Sequence, residues 1–474
     1  MMMLTAIDNI VIVVSVIAVL AIGYYFSKSV TNMESYYLAN RSLPWSLVVG
    51  TLMASWYGGV GVVGTVGYAS VFGLASWFIW SIGAHAVRFP LALWVGPRIH
   101  IRSDITIPDV MHGTYGKLAA IIASVFLFVY SAQVGEITAT GFIGEAAWGI
   151  NKVLVGIIVV IITILLTCLG GLMGVAVTDM IFFFFMVASL SLVFPQIFES
   201  VGGLAGIRAA TADNPSFMHP VAGMTISKAL MLVILCINVY ADPTFYQRFS
   251  ASNSARTGRR AMLTCFCLWM AFDAVTEVSG FIVRVKHPEL QPELGYIRMV
   301  LGNLPEGFRA LFIIGLFGAI ISTLDSYYLI GGTTLAKDIY LRMFPNVEMS
   351  DKKLINLSRA GSCLLGVMGL GMAFRFTLVY DAMAFFSSLW MSTGFVAVLM
   401  AIMYKGKKTP AAGILSMLVG CGFFAWLKLN PVVISESFGE LEPLLIALPA
   451  SLIAWLIGNQ IGTDRNMGSN TIRG

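Results

Sequence analysis

Ser322, Thr323, Asp325 and Ser326 stand together inside a long apolar run, Ala310 to Leu335. On a helix, Ser322, Asp325 and Ser326 share one face through i, i+3 and i+4 spacing, with Thr323 beside them. A carboxylate and three hydroxyls are costly in hydrocarbon, so they should face a bundle interior or a cavity. Clustered hard oxygens facing inward point to a small hard cation. A second reading stays open on the residues alone: hydroxyls in membrane helices often bond to the carbonyl four residues back.

The elements that position these residues follow from composition. Of the 474 residues, 58% are apolar and 11% charged, and mean hydropathy is +0.85. A soluble domain is about a quarter charged. Apolar runs near spanning length recur to the end of the chain, about 13 in all. The chain therefore reads as an all-α polytopic membrane protein, because the short alternating segments of a barrel do not appear. The net charge of +5 is scattered through loops, so nucleic acid is not an expected partner. All six cysteines (Cys168, Cys236, Cys265, Cys267, Cys363 and Cys421) fall in apolar spans and read as small buried residues. No phosphate-binding loop and no zinc spacing occur. No nucleophile–base set is evident, so the chain is not expected to be an enzyme or an ATP-driven pump.

The second span, 43–70, carries Gly50, Gly58, Gly59, Gly61, Gly64 and Gly67. Small residues pack helices closely, and they also mark discontinuous helices whose freed carbonyls face a site. The seventh span, 225–247, is interrupted at Asn238-Val-Tyr240-Ala-Asp242-Pro243. The five-helix offset between the two breaks is what a pair of inverted five-helix repeats gives. With the N-terminus outside, 19 of the 29 Lys and Arg residues fall on cytoplasmic segments, 9 fall outside and Arg88 lies within a span. The positive-inside rule thus favours N-out, C-in.

Several motifs, in order along the chain, resemble those of the sodium:solute symporter family. They are Tyr36-Tyr37-Leu38-Ala39-Asn40-Arg41-Ser42-Leu43-Pro44-Trp45, Thr106-Ile107-Pro108-Asp109, Gly170-Gly171-Leu172 with Thr178-Asp179, Gln247-Arg248, and Ser322-Thr323-Leu324-Asp325-Ser326 followed by Lys337-Asp338-Ile339-Tyr340. The resemblance implies a LeuT-type fold in a single membrane domain, 1–474. It comprises an extra N-terminal helix and loop (6–40), a first inverted repeat (41–198), a second (225–404) and two C-terminal helices (411–459). It also implies sodium as the coupling ion. The first sodium site would use the carbonyls of Ala54, Tyr57 and Ala319 and the hydroxyls of Ser322 and Thr323. A second site would use Asp179, Asp325 and Ser326. Two carboxylates sharing a site repel unless a cation lies between them. Phe182 departs from the polar residue many relatives carry, which leaves the stoichiometry open.

The solute site is expected between the broken helices and their neighbours, with Trp56, Gly58, His85, Arg88, Glu136, Asn238 and Tyr240 as candidate contacts. An intramembrane arginine marks a functional site with a partner. Arg88 either meets a substrate carboxylate or pairs with Glu136. Trp56, Tyr57, Trp77 and Trp80 are either aromatic walls or packing.

The expected function is sodium-coupled symport of a small organic solute (amino acid, sugar, carboxylate or quaternary amine) by alternating access. Proton coupling on the same fold, and a non-concentrative membrane sensor, are the alternatives. The expected setting is the lipid bilayer of a bacterial inner (plasma) membrane, with the chain a monomer.

Overall fold

The computed structural model describes residues 4–101, 106–221, 223–431 and 441–462, and among these the chain is helical with no strand. Among the described residues, eleven helices are long and apolar enough to cross a membrane, and Trp45–Trp56 with Val60–Phe72 forms a twelfth span bent by 57°. One of the eleven, Lys152–Glu199, has 48 residues. At 1.5 Å per residue it would reach about 70 Å, twice what a bilayer core needs. Gly171 interrupts it at φ 52°, ψ −166°. A Cβ there would meet the Tyr36 carbonyl oxygen at 3.0 Å, so the sharp turn requires glycine. Counting its two halves separately gives thirteen crossing segments, the number composition predicts.

Burial orders these helices. Ala6–Ser27 exposes Ile7, Ile10, Val13, Val14 and Ile17, an apolar surface suited to lipid. Phe308–Met343 is the most enclosed, with 78% of its apolar window buried. The polar cluster therefore rides on the central helix of the bundle. This helix runs on to Met343, beyond the apolar run ending at Leu335, and a shorter helix, Pro292–Asn303, precedes it.

Both predicted breaks occur. Trp45–Trp56 ends at Tyr57, whose backbone (φ −93°, ψ 57°) leaves the helical region. The second broken helix runs Ile226–Cys236, then a tight turn at Ile237–Tyr240, then Pro243–Ala251. Asp242 caps the second half by accepting the Thr244 amide at 2.9 Å. A third break was not expected: between Lys117–Tyr130 and Val134–Trp148, Gln133 sits at φ 46°.

The motifs meet one another. Leu43 donates its amide to the Ala251 carbonyl at 3.0 Å, and Gln247 donates to the Tyr37 carbonyl at 2.8 Å. The Tyr36–Trp45 segment is thereby docked on the end of the second broken helix. Thr106 and Asp109 form a reciprocal cap that starts the helix Ile107–Tyr115. Lys337 and Arg342 both pair with Asp109, and Arg342 also pairs with Asp338. Burial pushes the Asp109 carboxyl up, but Lys337 and then Arg342 outweigh it and hold it below the usual aspartate range.

The cysteines are all free, but only Cys236 and Cys265 are buried; Cys267 and Cys363 are exposed on helices of the membrane bundle. The expectation of six buried cysteines is corrected to two, because an apolar run fixes membrane depth and not which face meets lipid. Of the basic residues used for orientation, Arg102, Arg465 and Arg473 lie outside the described residues.

Candidate functional site

The first broken helix and the central helix meet through four of the five oxygen-bearing residues expected of a first cation site. The Ser322 hydroxyl lies 3.0 Å from the Ala54 carbonyl and 2.8 Å from the Ala319 carbonyl. The Thr323 hydroxyl lies 3.0 Å from the Ala319 carbonyl, 3.2 Å from that of Ser55 and 3.5 Å from that of Ala54. The bonds to Ala319 are within-turn contacts; those to Ala54 and Ser55 cross between helices. Tyr57, the fifth, sits at the break, and its phenol donates to the Trp269 carbonyl at 3.0 Å. Ser322 and Thr323 are buried.

The Ala54 carbonyl lies where the helix ends at Tyr57, and the next two carbonyls, of Ser55 and Trp56, lose their usual donors. In an unbroken helix the Gly59 amide would bond to the Ser55 carbonyl and the Val60 amide to that of Trp56. Here Glu136 takes both, with Oε2 2.5 Å from the Gly59 nitrogen and Oε1 3.3 Å from that of Val60. A carboxylate at a helix N-terminus satisfies orphan amides and meets the positive end of the helix dipole. Gly58 lies between Glu136 and Thr323, where any Cβ would collide with both. Glycine is required at that close approach.

The second cluster is differently filled. Asp179, Asp325 and Ser326 are buried, as expected, but Arg248 enters between them. Its Nη2 lies 2.5 Å from Ser326 Oγ, 2.9 Å from Thr51 Oγ1, 3.1 Å from Ser55 Oγ and 3.8 Å from Asp179 Oδ2. Thr51 in turn donates to Asp179 at 2.5 Å, and Ser326 lies 3.5 Å from Asp325. One oxygen of each carboxylate, Asp179 Oδ1 and Asp325 Oδ2, has no partner among the described residues.

A cavity opens beside the first site. Of the seven candidate solute contacts, Trp56, Arg88, Glu136 and Asn238 line it, together with Ser55, Trp80, Gln133, Tyr327, Tyr380 and Phe386. Gly58, His85 and Tyr240 do not. Gly58 is backbone packing, and the Tyr240 phenol is spent on the Val87 carbonyl at 2.6 Å. His85 stands behind Arg88: its Nε2 is 2.6 Å from Asp273 Oδ2 and its Nδ1 is 3.5 Å from Arg88 Nη1. Asn238 donates to Tyr130 at 3.0 Å, and Tyr130 and Tyr327 both donate to Asp242.

The expected Arg88–Glu136 pair does not form, because Glu136 is committed to Gly59 and Val60. No carboxylate of the described residues pairs with Arg88, which is only 2% exposed, and its Nε has no partner. Its guanidinium lies 4.1 Å from the Trp56 ring centre and 4.7 Å from that of Trp269. Cation–π contact supplies about 0.5–2 kcal/mol. Burying a lone charge costs several kcal/mol, so the rings do not balance it. The helix that carries it, Leu74–Ile101, is widened by π-turns at Trp77–Ser81 and Leu91–Val95 on either side. Such bulges recur at functional sites.

A sequence model of the Sodium:solute symporter family matches residues 36–420. The osmoregulated proline transporter OpuE of Bacillus subtilis is 23% identical over 94% of this chain and 93% of its own length. The sodium/pantothenate symporter of Escherichia coli is 25% identical over 92% of each. A solved Na+-coupled sialic acid symporter, in a substrate-bound outward-open state, superposes with a TM-score of 0.81 at 16% identity, covering 97% of this chain and 99% of the other. That likeness carries the fold, a LeuT-type bundle. The chain belongs to the sodium:solute symporter family and couples sodium to the movement of an organic solute across a membrane.

Proposed function

We propose that sodium binds where the Ala54 and Ala319 carbonyls meet the Ser322 and Thr323 hydroxyls, with Tyr57 contributing from the break. The observation that carries this is the approach of the Ser322 and Thr323 hydroxyls to the Ala54 carbonyl beside the break at Tyr57, a break that Glu136 supports by taking the Gly59 and Val60 amides. Neutral hard oxygens suit a monovalent hard cation. Sodium there ties the two helices in one relative position, and the solute occupies the adjacent cavity against Trp56, Arg88 and Asn238. A ligand shifts a conformational equilibrium only by binding one state better, so sodium and solute must each strengthen the other's binding. That linkage is the coupling step of alternating access.

Arg248 serves as the resident cation of the second cluster, and one sodium is carried per cycle. Asp179 and Asp325 with Arg248 leave one net negative charge beside the first site, which favours a cation there. Ser326 orients Arg248 and is not an ion ligand in this reading. The broken helices at Trp45–Phe72 and Ile226–Ala251 each open an inverted repeat, 41–198 and 225–404. The N-terminus faces outside and the C-terminus the cytoplasm, in a bacterial inner membrane, and the chain acts as a monomer. Bacterial relatives of matching length support the setting.

The test is the melting temperature of the detergent-purified protein in sodium chloride against potassium and choline chloride. Stabilisation by sodium alone is expected to saturate. Equal melting in the three salts contradicts a sodium site.

A further inference from the structure

From the lone Arg88 guanidinium at the cavity wall, we infer that the solute carries a carboxylate, which Arg88 receives. This rests on the reading of the cavity as the solute site.

Three observations lead there. First, the two acidic residues that border the same cavity are already engaged: Glu136 by the amides of Gly59 and Val60, and Asp273 by His85. Arg88 has only one polar partner among the described residues, the His85 ring at 3.5 Å, and its Nε is buried without any. Second, that partner aims it. Asp273 fixes the Nε2–H tautomer of His85, assigned from the hydrogen-bond geometry, so Nδ1 is left to accept from Arg88. One of five guanidinium donors is then used, and a fork remains for a planar anion. Third, the surroundings favour a bidentate oxyanion over a diffuse polar surface. Trp56 and Trp269 flank the guanidinium and Phe386, Met383 and Tyr380 line the cavity, so the guanidinium–carboxylate bonds form in a desolvated place.

Carboxylate is the shared chemistry of simple organic acids and zwitterionic amino acids. A neutral sugar would leave the fork unmatched. A quaternary amine would meet like charge.

The test compares matched probes on the purified protein in saturating sodium: lactate with lactamide, benzoate with benzamide, and L-proline with L-prolinamide, with glucose and choline as controls. Melting temperature is read for the native chain, Arg88→Lys and Arg88→Gln. At least one carboxylate should raise the native melting temperature in sodium and not in potassium, and its amide should not. Half-maximal stabilisation should need at least tenfold more of that carboxylate in Arg88→Lys, and stabilisation should vanish in Arg88→Gln. Sodium-only stabilisation should persist in both variants, which reports that they are folded. An equal response to the amide, a response only to glucose or choline, no response to any carboxylate, or a full carboxylate response in Arg88→Gln overturns the inference. Loss of the sodium-only response in the native chain would instead fault the sodium site. Response to lactate or benzoate without L-proline identifies simple acids; the reverse identifies amino acids.

Discussion

Glu136 lies 2.5 Å from the Gly59 amide nitrogen, and this contact holds the first broken helix open. The carboxylate belongs to a helix that is itself broken at Gln133, so one break supports the other. Without Glu136, the Gly59 and Val60 amides could return to the Ser55 and Trp56 carbonyls and close the helix. Glu136→Ala should therefore raise the half-maximal sodium concentration for stabilisation at least tenfold, about 1.4 kcal/mol. Glu136→Gln keeps one acceptor oxygen for two amides and should lose less. Sodium titrations of melting temperature read both, and unchanged titrations would separate Glu136 from the ion site.

The Arg248 guanidinium sets the expected stoichiometry. With its Nη2 2.5 Å from Ser326 and 3.8 Å from Asp179, it already supplies a positive charge to the second cluster. The sodium dependence of binding should have a Hill coefficient near 1. Asp179→Asn should weaken sodium binding by removing nearby negative charge and leave the coefficient at about 1. A native coefficient near 2 that falls to 1 in Asp179→Asn would restore the second sodium.

Glu293 gives a pH dependence outside the spanning segments. It is buried on the helix Pro292–Asn303, accepts the Val379 amide at 3.4 Å and crowds Gly67. Burial pushes its carboxyl up to about 7, more than the opposing hydrogen bonds pull it down. A folded value above the unfolded one adds stability at low pH, and that stability is lost as pH rises from about 4.5 through about 7. The loss is of order 3 kcal/mol. Melting temperature should fall between pH 5 and 8, and Glu293→Gln should flatten much of that fall. A Glu293→Gln profile parallel to the native one would assign the dependence to other groups.

How far the sequence carries the fold and the site can be read residue by residue. Dense glycine at Gly58–Gly67 and the Asn238–Pro243 stretch announce two breaks, because both weaken helical hydrogen bonding locally. The Ser322–Ser326 face is legible because polar groups in an apolar run must point inward. Gln133 is not, since no glycine or proline marks its left-handed turn. Arg248 is read as a motif residue but not as an ion partner; it reaches Thr51 across 197 positions of sequence, and no local pattern encodes that. Glu136 was expected beside Arg88, because charge pairing is the simplest way to bury two ions. Two backbone amides compete better for it, and such donors are invisible in side-chain chemistry. That exchange leaves Arg88 without Glu136 as a partner.

The central claim is that Ser322 and Thr323 hold the coupling ion. It is tested most directly by binding of radioactive sodium to the purified native protein and to the Ser322→Ala/Thr323→Ala variant. The native chain should bind one sodium, saturably, and the double variant should lose that binding while melting cooperatively and keeping its helical circular dichroism. Undiminished sodium binding by the folded double variant would contradict the account.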